Sequence, residues 1–429
     1  MRVIHVVTAF PRDPEDPITP WLPRLLTELR RRGVESEVLA PSYRGRPAGR
    51  PYDIPVHRFR YGPAAWEALS HDQTVPDRLR ESPRYALLLP TYVAGGSLAA
   101  WRLGRGRPDV MHVHWPVPHA LFGAAARRAS AGHAALVCSY YSVELSWVEH
   151  RLRWLRPFLR WTVRTADGVT AISSWTAERV RTLVDRPVRV IPFSATVQDG
   201  SSRVGVDARA GAGVEATPEP GSSEEGAVAP RIPFQDKEMH LLFVGRLVER
   251  KGVEVLVRAL PRILARRPAR LTIVGEGSRE RNIRAAATAS GVEPVIRFAG
   301  HVSREELSRL YATCDLFVLP AVVDAKGDTE GLGVVLLEAL RFARPVVASA
   351  VGGIPDIVQD GRSGWLVPPG DPAALAGAIL RIAADPEAAR RIGEAGRRRV
   401  ERRFSWERIT GELMDCYMQA VARRRGEGA

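Results

Sequence analysis

The chain has 429 residues, 45% of them hydrophobic and 26% charged, a composition that fits an ordinary folded soluble protein and excludes disordered and fibrous classes. At roughly 150 residues per domain, this length implies two or three domains rather than one core. The formal charge of +14 is uneven: residues 1–200 hold 28 Lys and Arg against 18 Asp and Glu, a bias that attracts nucleic acid, anionic lipid or an acidic substrate without choosing among them.

Along the chain, MRVIHVVTAF carries one basic residue and no small-residue cleavage signal, so it is a first β-strand rather than a secretion signal. PWLPRLLTELRRRG predicts a helix ending at Gly33 and VESEVLAP the next strand, together a βαβ unit. The most lipid-like stretch, Tyr85 to Trp101, lacks charge but is interrupted by Pro90, Gly95 and Gly96. It falls short of the ~20 residues of a bilayer span and is expected as a buried helix. DVMHVHW, AALVCSYY, GVTAIS and VRVIPF are short β-branched strands, separated by helical stretches such as LFGAAARRASAG and SWTAERVRTLVD. In HRLRWLRPFLRWTVRTADG, Arg alternates with Trp154, Phe158 and Trp161. That pattern suits a basic helix on an anionic membrane or a packed helix with solvated arginines, the commoner case, and Pro157 weakens its continuity.

Residues 199–238 are rich in Gly, Ala, Ser, Pro and Glu without periodicity, as a flexible insertion at a domain junction would be. Alternation then resumes with MHLLFVGRL, VEVLVRALPRILARRP, RLTIVGEG, VIRFAGH, REELSRLYATC, DLFVLPA and PVVASAVGG. The expected fold class is α/β, with two doubly wound Rossmann-like domains, residues 1–198 and 239–405, followed by a last helix within 406–429. Cys138, Cys314 and Cys416 are far apart and lack C-x-x-C spacing, which points to a reduced cytosolic compartment.

Two segments carry chemistry. In FVGRLVERKG, Gly245 follows a strand, Arg246 and Lys251 are five apart, and Gly252 precedes a helix. A strand-to-helix turn with two cations and free helix amides suits a diphosphate, although a solvated basic loop has the same pattern. In TEGLGVVLLEALRFARPVVAS, Glu330 precedes a helix that contains Glu338, with Gly331 and Gly333 between them. The first carboxylate can accept sugar hydroxyls, the helix start can hold phosphate, and the second carboxylate can chelate a ribose diol. Taken alone, that segment better fits a helix with a capping and a surface glutamate. VGEGSRE is only a fragment of the G-x-G-x-x-G of dinucleotide-binding dehydrogenases.

The series GRLVERKG, IVGEGS, FAGHVS, LYATCDLFVLPA, EGLGVVLLEAL and PVVASAVGGIPDIVQDGRSGWLVPPGD resembles, in order, the retaining group 1 (family 4) glycosyltransferases over nearly all of residues 241–375. The first half is similar in layout, with RPDVMHVHW and GVTAISSWTAERV as its matching pieces. The resemblance implies the GT-B architecture, two Rossmann-like domains facing a central cleft, with residues 1–198 taking the acceptor, 239–405 the nucleotide-sugar donor, and the last helix returning to the first domain. It implies that Arg246 and Lys251 bind the donor diphosphate, Glu330 the sugar, the Leu332 and Gly333 amides the phosphate, and Glu338 the ribose. No metal and no cofactor are implied, the nucleotide diphosphate sugar being a substrate, and no Asp-x-Asp signature is present.

The match departs from the family at two places. TAFPRDPEDPITPW stands where relatives have a Gly-rich loop, and Tyr141-Ser142-Val143-Glu144 stands where many have His-Gly-x-Asp. Tyr141, Glu144 and the nearby His114 are therefore the candidate acceptor-side residues, His114 as a substitute for the missing histidine. A phenol with a reference pKa near ~10 is a poor base at neutral pH. The expected partners are a nucleotide sugar and a carbohydrate, lipid or small-molecule acceptor, in a cytoplasmic enzyme with peripheral attachment to an anionic inner membrane face left open. A non-catalytic nucleotide-sugar binder and a sugar-nucleotide epimerase are the alternatives. Nucleic acid is not expected, since no zinc-finger or RNA-recognition motif accompanies the charge.

Overall fold

The computed structural model describes residues 1–427 except 14, 15, 17, 46–48, 72–74, 76, 77, 80, 81 and 198–232. Most of the expected insertion at 199–238 thus lies outside the described residues. Seven parallel strands form the first sheet: β1 (Arg2–Val6), β2 (Glu35–Pro41), β3 (Val56–Phe59), β4 (Val110–His114), β5 (Ala135–Tyr140), β6 (Gly168–Ala171) and β7 (Arg189–Val190), in the order β3-β2-β1-β4-β5-β6-β7. Strand β3 escaped the sequence reading because VHRF is four residues long and buries only its two ends. The helices of this half are α1 (Trp21–Arg31), α2 (Leu89–Gly104), α3 (Pro116–Ala129), α4 (Val143–His150), α5 (Arg156–Thr165) and α6 (Ser174–Arg181).

The basic aromatic segment is not one helix. A 3-10 turn at Arg153–Leu155 leads into α5, and Pro157 sits in its first turn, where no backbone N–H is needed. The lipid-like stretch is helical, but it is buried on one side only. Tyr92, Gly96, Ala100 and Gly104 recur every four residues and let α2 press onto α3, so closely that a Cβ at Gly104 would lie 2.3 Å from the Ala126 carbonyl oxygen. Among the described residues its opposite side, with Pro90, Ala94, Leu98 and Trp101, is exposed, which corrects the expectation of a buried helix. Among the described residues no helix is long and apolar enough to cross a membrane.

The second sheet has six parallel strands, β8 (Met239–Val244), β9 (Ala269–Val274), β10 (Ile296–Gly300), β11 (Leu316–Leu319), β12 (Val346–Ser349) and β13 (Trp365–Val367), in the order β10-β9-β8-β11-β12-β13. Around it run α7 (Val253–Leu264), α8 (Glu280–Ala289), α9 (Arg304–Thr313), α10 (Val334–Arg341), α11 (Ile354–Ile357), α12 (Pro372–Ala384) and α13 (Pro386–Arg403). Two Asp-Pro pairs start α12 and α13: the Asp371 carboxylate accepts from the Ala373 and Ala374 amides, and Asp385 from the Ala388 amide.

The last helix, α14 (Trp406–Arg425), is capped by Ser405 and packs on the first sheet. Its buried face of Ile409, Leu413, Cys416, Tyr417 and Ala420 joins Val3, Val110, Ala135 and Val137 in one core. A separate core on the sheet's other face holds α2, α3 and α5. In both sheets the strand order reverses beside the first strand, between β1 and β4 and between β8 and β11, and a crevice for a ligand opens at such a reversal, outside the carboxyl ends of the strands.

The close α2–α3 contact yields a stability prediction. Gly104→Ala should cost about 1–3 kcal/mol, because the new methyl meets backbone that cannot rotate away. Urea unfolding with an unchanged midpoint would show that the two helices are less tightly joined.

Candidate site at the facing sheet edges

At the carboxyl edge of the second sheet the chain leaves β8 at Gly245, whose φ is 153°. Arg246 follows, exposed, and a 3-10 turn at Glu249–Lys251 ends at Gly252, with φ 65°. A Cβ at Gly252 would lie 1.8 Å from the Pro320 carbonyl oxygen, so only glycine lets this turn sit against β11's exit. The turn brings buried Lys251 to 2.5 Å from Glu330, Nζ to Oε2. Burial pushes the Glu330 carboxyl up, but Lys251 foremost, then Arg250 and Arg246, hold it down at about 2. Burial lowers the Lys251 ammonium, with Glu330 opposing. Arg250 in turn pairs with Asp328 at 3.4 Å.

Glu330, Gly331, Leu332 and Gly333 lead into α10, and Gly333 caps it in the left-handed region, φ 89°, without a side-chain acceptor for the first amides. Those amides are the donors a helix start leaves unpaired, and they suit an anion. The Glu330 carbonyl accepts from the Gly353 amide at 2.9 Å. Gly245, Arg246, Lys251, Glu330, Gly331, Leu332 and Gly333 therefore share one loop cluster. Glu338 makes its contacts elsewhere: Oε1 accepts from the Thr196 hydroxyl at 2.8 Å and Oε2 from the Tyr311 hydroxyl at 3.0 Å. Burial raises its pKa, and the Thr196 and Tyr311 hydroxyls, then the Thr196 and Val197 amides, oppose that.

Across the seam, at the carboxyl edge of the first sheet, the Tyr141 backbone abuts Gly331. Its ring belongs to an aromatic wall, 4.7 Å from Trp115, 5.3 Å from Phe193 and 5.9 Å from Trp21, centroid to centroid. Its hydroxyl is turned inward, 2.6 Å from His114 Nδ1, so the ring rather than the phenol is what the wall presents. Trp115 and Ser142, with φ of 53° and 83°, hold left-handed conformations that non-glycine residues rarely adopt. His114 is fully buried behind Tyr141 and reaches the seam only through it.

His114 belongs to a column with His5 and His112, whose ligating atoms all lie within 4.8 Å of one another, the group among the described residues able to hold a metal ion. The column is bonded in another way. The His112 and His114 rings lie with centroids 4.0 Å apart, tilted by 31°, and both His112 nitrogens are committed to hydroxyls, Tyr417 at 2.7 Å and Ser139 at 2.6 Å. Glu144 is buried in the first turn of α4, and Oε1 accepts from the Tyr141 amide at 2.8 Å. Burial pushes its carboxyl up to about 7, with Asp328 adding to the rise and Arg179 opposing it.

Sequence reasoning missed Thr196 and Tyr311 on Glu338, the Arg250–Asp328 pair, and the wall residues Trp21, Trp115 and Phe193. Only Trp115, directly after the HVH strand, carried a local signal, its place at a strand's carboxyl end. The others are joined across more than one element.

The buried pair and Glu144 give opposite pH responses. Glu330 has a depressed pKa, so its contribution is present above about 4.5 and lost as pH falls toward about 2. Lys251→Met should cost about 3–5 kcal/mol by stranding a buried carboxylate, and adding Glu330→Gln should recover part of it. Equal stability of the single and double variants by urea unfolding would contradict the pair. Glu144 has a raised pKa, so its contribution is full below about 4.5 and lost as pH rises through about 7. Glu144→Gln should remove that slope, and an unchanged pH dependence of the unfolding midpoint would refute the assignment.

Comparison with known proteins agrees with this geometry. Residues 228–399 match the family model described as glycosyl transferases group 1, and residues 22–193 match that of glycosyltransferase family 4. The chain is 31% identical over 362 residues to a GDP-mannose-dependent monoacylated alpha-(1-6)-phosphatidylinositol monomannoside mannosyltransferase of Corynebacterium glutamicum, covering 84% of this chain and 88% of that one. It is 33% identical over 291 residues to a GDP-mannose-dependent alpha-(1-6)-phosphatidylinositol monomannoside mannosyltransferase of Mycolicibacterium smegmatis, covering 67% and 71%. Among solved structures, sucrose-phosphate synthase from Thermosynechococcus elongatus superposes with a TM-score of 0.72 at 22% identity, over 98% of this chain and 99% of that one. Anabaena HepE in complex with UDP and glucose does so with 0.65 at 18%, over 97% and 98%. The chain belongs to the group 1, family 4 glycosyltransferases, an enzyme of GT-B fold that uses a nucleotide sugar.

Proposed function

We propose that the protein is a retaining, metal-independent glycosyltransferase that moves a hexose from a nucleotide diphosphate sugar to a carbohydrate acceptor carried on a lipid. The observation that supports it most is the Lys251–Glu330 pair, set beside the unpaired amides at the start of α10 and facing Tyr141 across Gly331. On this reading Arg246 and Lys251 bind the diphosphate, the Leu332 and Gly333 amides hold its terminal phosphate, and Glu330 accepts sugar hydroxyls. Glu338 binds the ribose diol after the Thr196 hydroxyl gives way. Two side-chain cations and a helix start together supply the positive charge that a divalent ion supplies in metal-dependent transferases.

The step is the departure of the diphosphate from the anomeric carbon while the acceptor oxygen bonds to the same face. The acceptor proton passes to the departing phosphate oxygen, so no enzyme nucleophile is needed, and the protein contributes positioning and charge stabilisation. The relatives named above are called GDP-mannose-dependent and act on a phosphatidylinositol mannoside, which favours a lipid-borne glycan as acceptor and the inner membrane face as the place of work. Tyr141 presents its ring where many relatives have histidine, so the acceptor side relies on shape and stacking. An epimerase needs no acceptor wall, and the aromatic one here speaks for transfer.

A thermal-shift panel of GDP-, UDP-, ADP- and dTDP-sugars should pick one base, since a ligand at ~100 times its dissociation constant stabilises the fold by about 2.7 kcal/mol. Arg246→Ala and Lys251→Ala should each lower turnover roughly 10²- to 10³-fold, the scale of one preorganised charge-stabilising group. Wild-type turnover in both variants would overturn the assignment, and an inverted anomeric signal in the product's NMR spectrum would overturn retention.

A further inference from the structure

Seven large apolar side chains stand exposed among the described residues, and four of them belong to the helical layer on one face of the first sheet: Leu87 at 73%, Leu98 at 51%, Trp101 at 40% and Trp154 at 74%. The first three form a stripe. Leu87, Pro90, Ala94, Leu98 and Trp101 are all exposed, three or four residues apart, along the turn at Pro83–Leu88 and the α2 helix it enters. This is the side of α2 that its small-residue side turns away from α3. Trp154 stands at the start of α5, which packs on α3 as α3 packs on α2, so stripe and tryptophan belong to one continuous layer.

Along the α2 segment the charge has one sign. From Ser82 to Pro108 the chain has Arg84, Arg102, Arg105 and Arg107 and neither Asp nor Glu, and all four arginines are exposed. Arg153, Arg156 and Arg164 are exposed around Trp154 and α5 in the same way. An apolar stripe whose own segment carries only cations is what an anionic bilayer surface receives: leucines enter the acyl boundary, tryptophans sit at headgroup level, and guanidinium groups meet phosphates. A protein partner's interface core would instead be depleted of charge and sealed by a mixed polar rim.

We infer that the outer face of α2, with the Trp154 turn beside it, docks the enzyme on the surface of a membrane rich in anionic phospholipid. The inference rests on the peripheral placement proposed above and deepens it: the main apolar contact is the uncharged stretch Leu87–Trp101, with the basic segment at Arg153–Arg164 as its flank. Docking of this kind is partial insertion plus Coulomb attraction, so it weakens with salt.

The test is flotation of the full chain with phosphatidylcholine vesicles, with and without about 30 mol % phosphatidylglycerol, at low salt and at about 0.5 M salt, where the Debye length shrinks well below its ~10 Å at 0.1 M. Wild type should float with the anionic vesicles and bind at least ~10-fold more weakly to neutral ones or in high salt. Leu98→Glu with Trp101→Glu should abolish flotation, and Arg102→Glu with Arg105→Glu should weaken it by about fivefold or more per arginine. These side chains are exposed, so circular dichroism and the melting midpoint should match wild type. Absence of wild-type flotation, flotation of the Leu98/Trp101 variant at the wild-type level, or self-association through this face without vesicle binding each overturns the inference. Nucleotide-sugar thermal shifts measured without vesicles separate the two claims. A chain that shifts but does not float refutes docking alone, and one that floats but shifts with no donor refutes the transferase reading alone.

Discussion

The arrangement at the seam depends on a buried ion pair that the fold has to assemble from two loops. Lys251 comes from the turn after β8 and Glu330 from the loop between β11 and α10, and β8 and β11 are neighbours only because the strand order reverses there. Taking both charges out of water is expensive, and the pair survives only where geometry is held tightly. Glycines supply that tightness: Gly252 lies against Pro320, and a Cβ at Gly352 would sit 2.1 Å from the Glu330 carbonyl oxygen. The result is a buried ammonium and carboxylate held against each other, beside helix amides with no side-chain cap. An anion that brings hydroxyls would meet both charges and the free amides at once, which is why the arrangement suits a ligand.

The same loop binds the two halves of the molecule. Gly331 meets the Tyr141 backbone, Asp328 accepts from the Ser146 hydroxyl at 3.2 Å, and Asp356 from the Ser174 amide at 2.5 Å. Glu338 grips Thr196, on the segment leaving the first sheet. The carboxylates of the second half thus take donors from α4, the start of α6 and the segment after β7, and any movement that opens the cleft exchanges those donors for water or substrate. On the first half, the His5–His112–His114 column and Tyr417 of α14 stiffen the floor under Tyr141. The return of α14 is therefore part of the site's support.

What the sequence made legible follows from how local each signal is. The βαβ rhythm, the Gly245–Gly252 turn and the Glu330–Gly333 helix start are written within single segments, and the structure places them where the spacing implied. The side chains on which Glu338 closes were not legible, because Thr196 and Tyr311 are 142 and 27 residues away from it and neither belongs to a motif. The histidine column was hidden for the same reason: His5 meets His112 only through the β1–β4 register. Helix α2 was misjudged in a different way. Its lack of charge was visible, but whether an apolar side faces a core or the outside depends on which residues are small, and Gly96 and Gly104 choose that side.

That choice bears on how an acceptor with a glycan head and a lipid tail would reach the seam. Helix α3 begins at Pro116, one residue after Trp115 of the aromatic wall, and runs in the layer whose outer face carries Leu98 and Trp101. The exposed stripe on that layer runs from the carboxyl edge of the first sheet, where Thr91 bonds the Tyr61 carbonyl, back toward the amino edge, where Gly106 meets Arg2. With the Tyr141 hydroxyl turned onto His114, the wall is built of the rings of Tyr141, Trp115 and Phe193, and an acceptor of the proposed kind would meet it by shape and stacking rather than through the phenol.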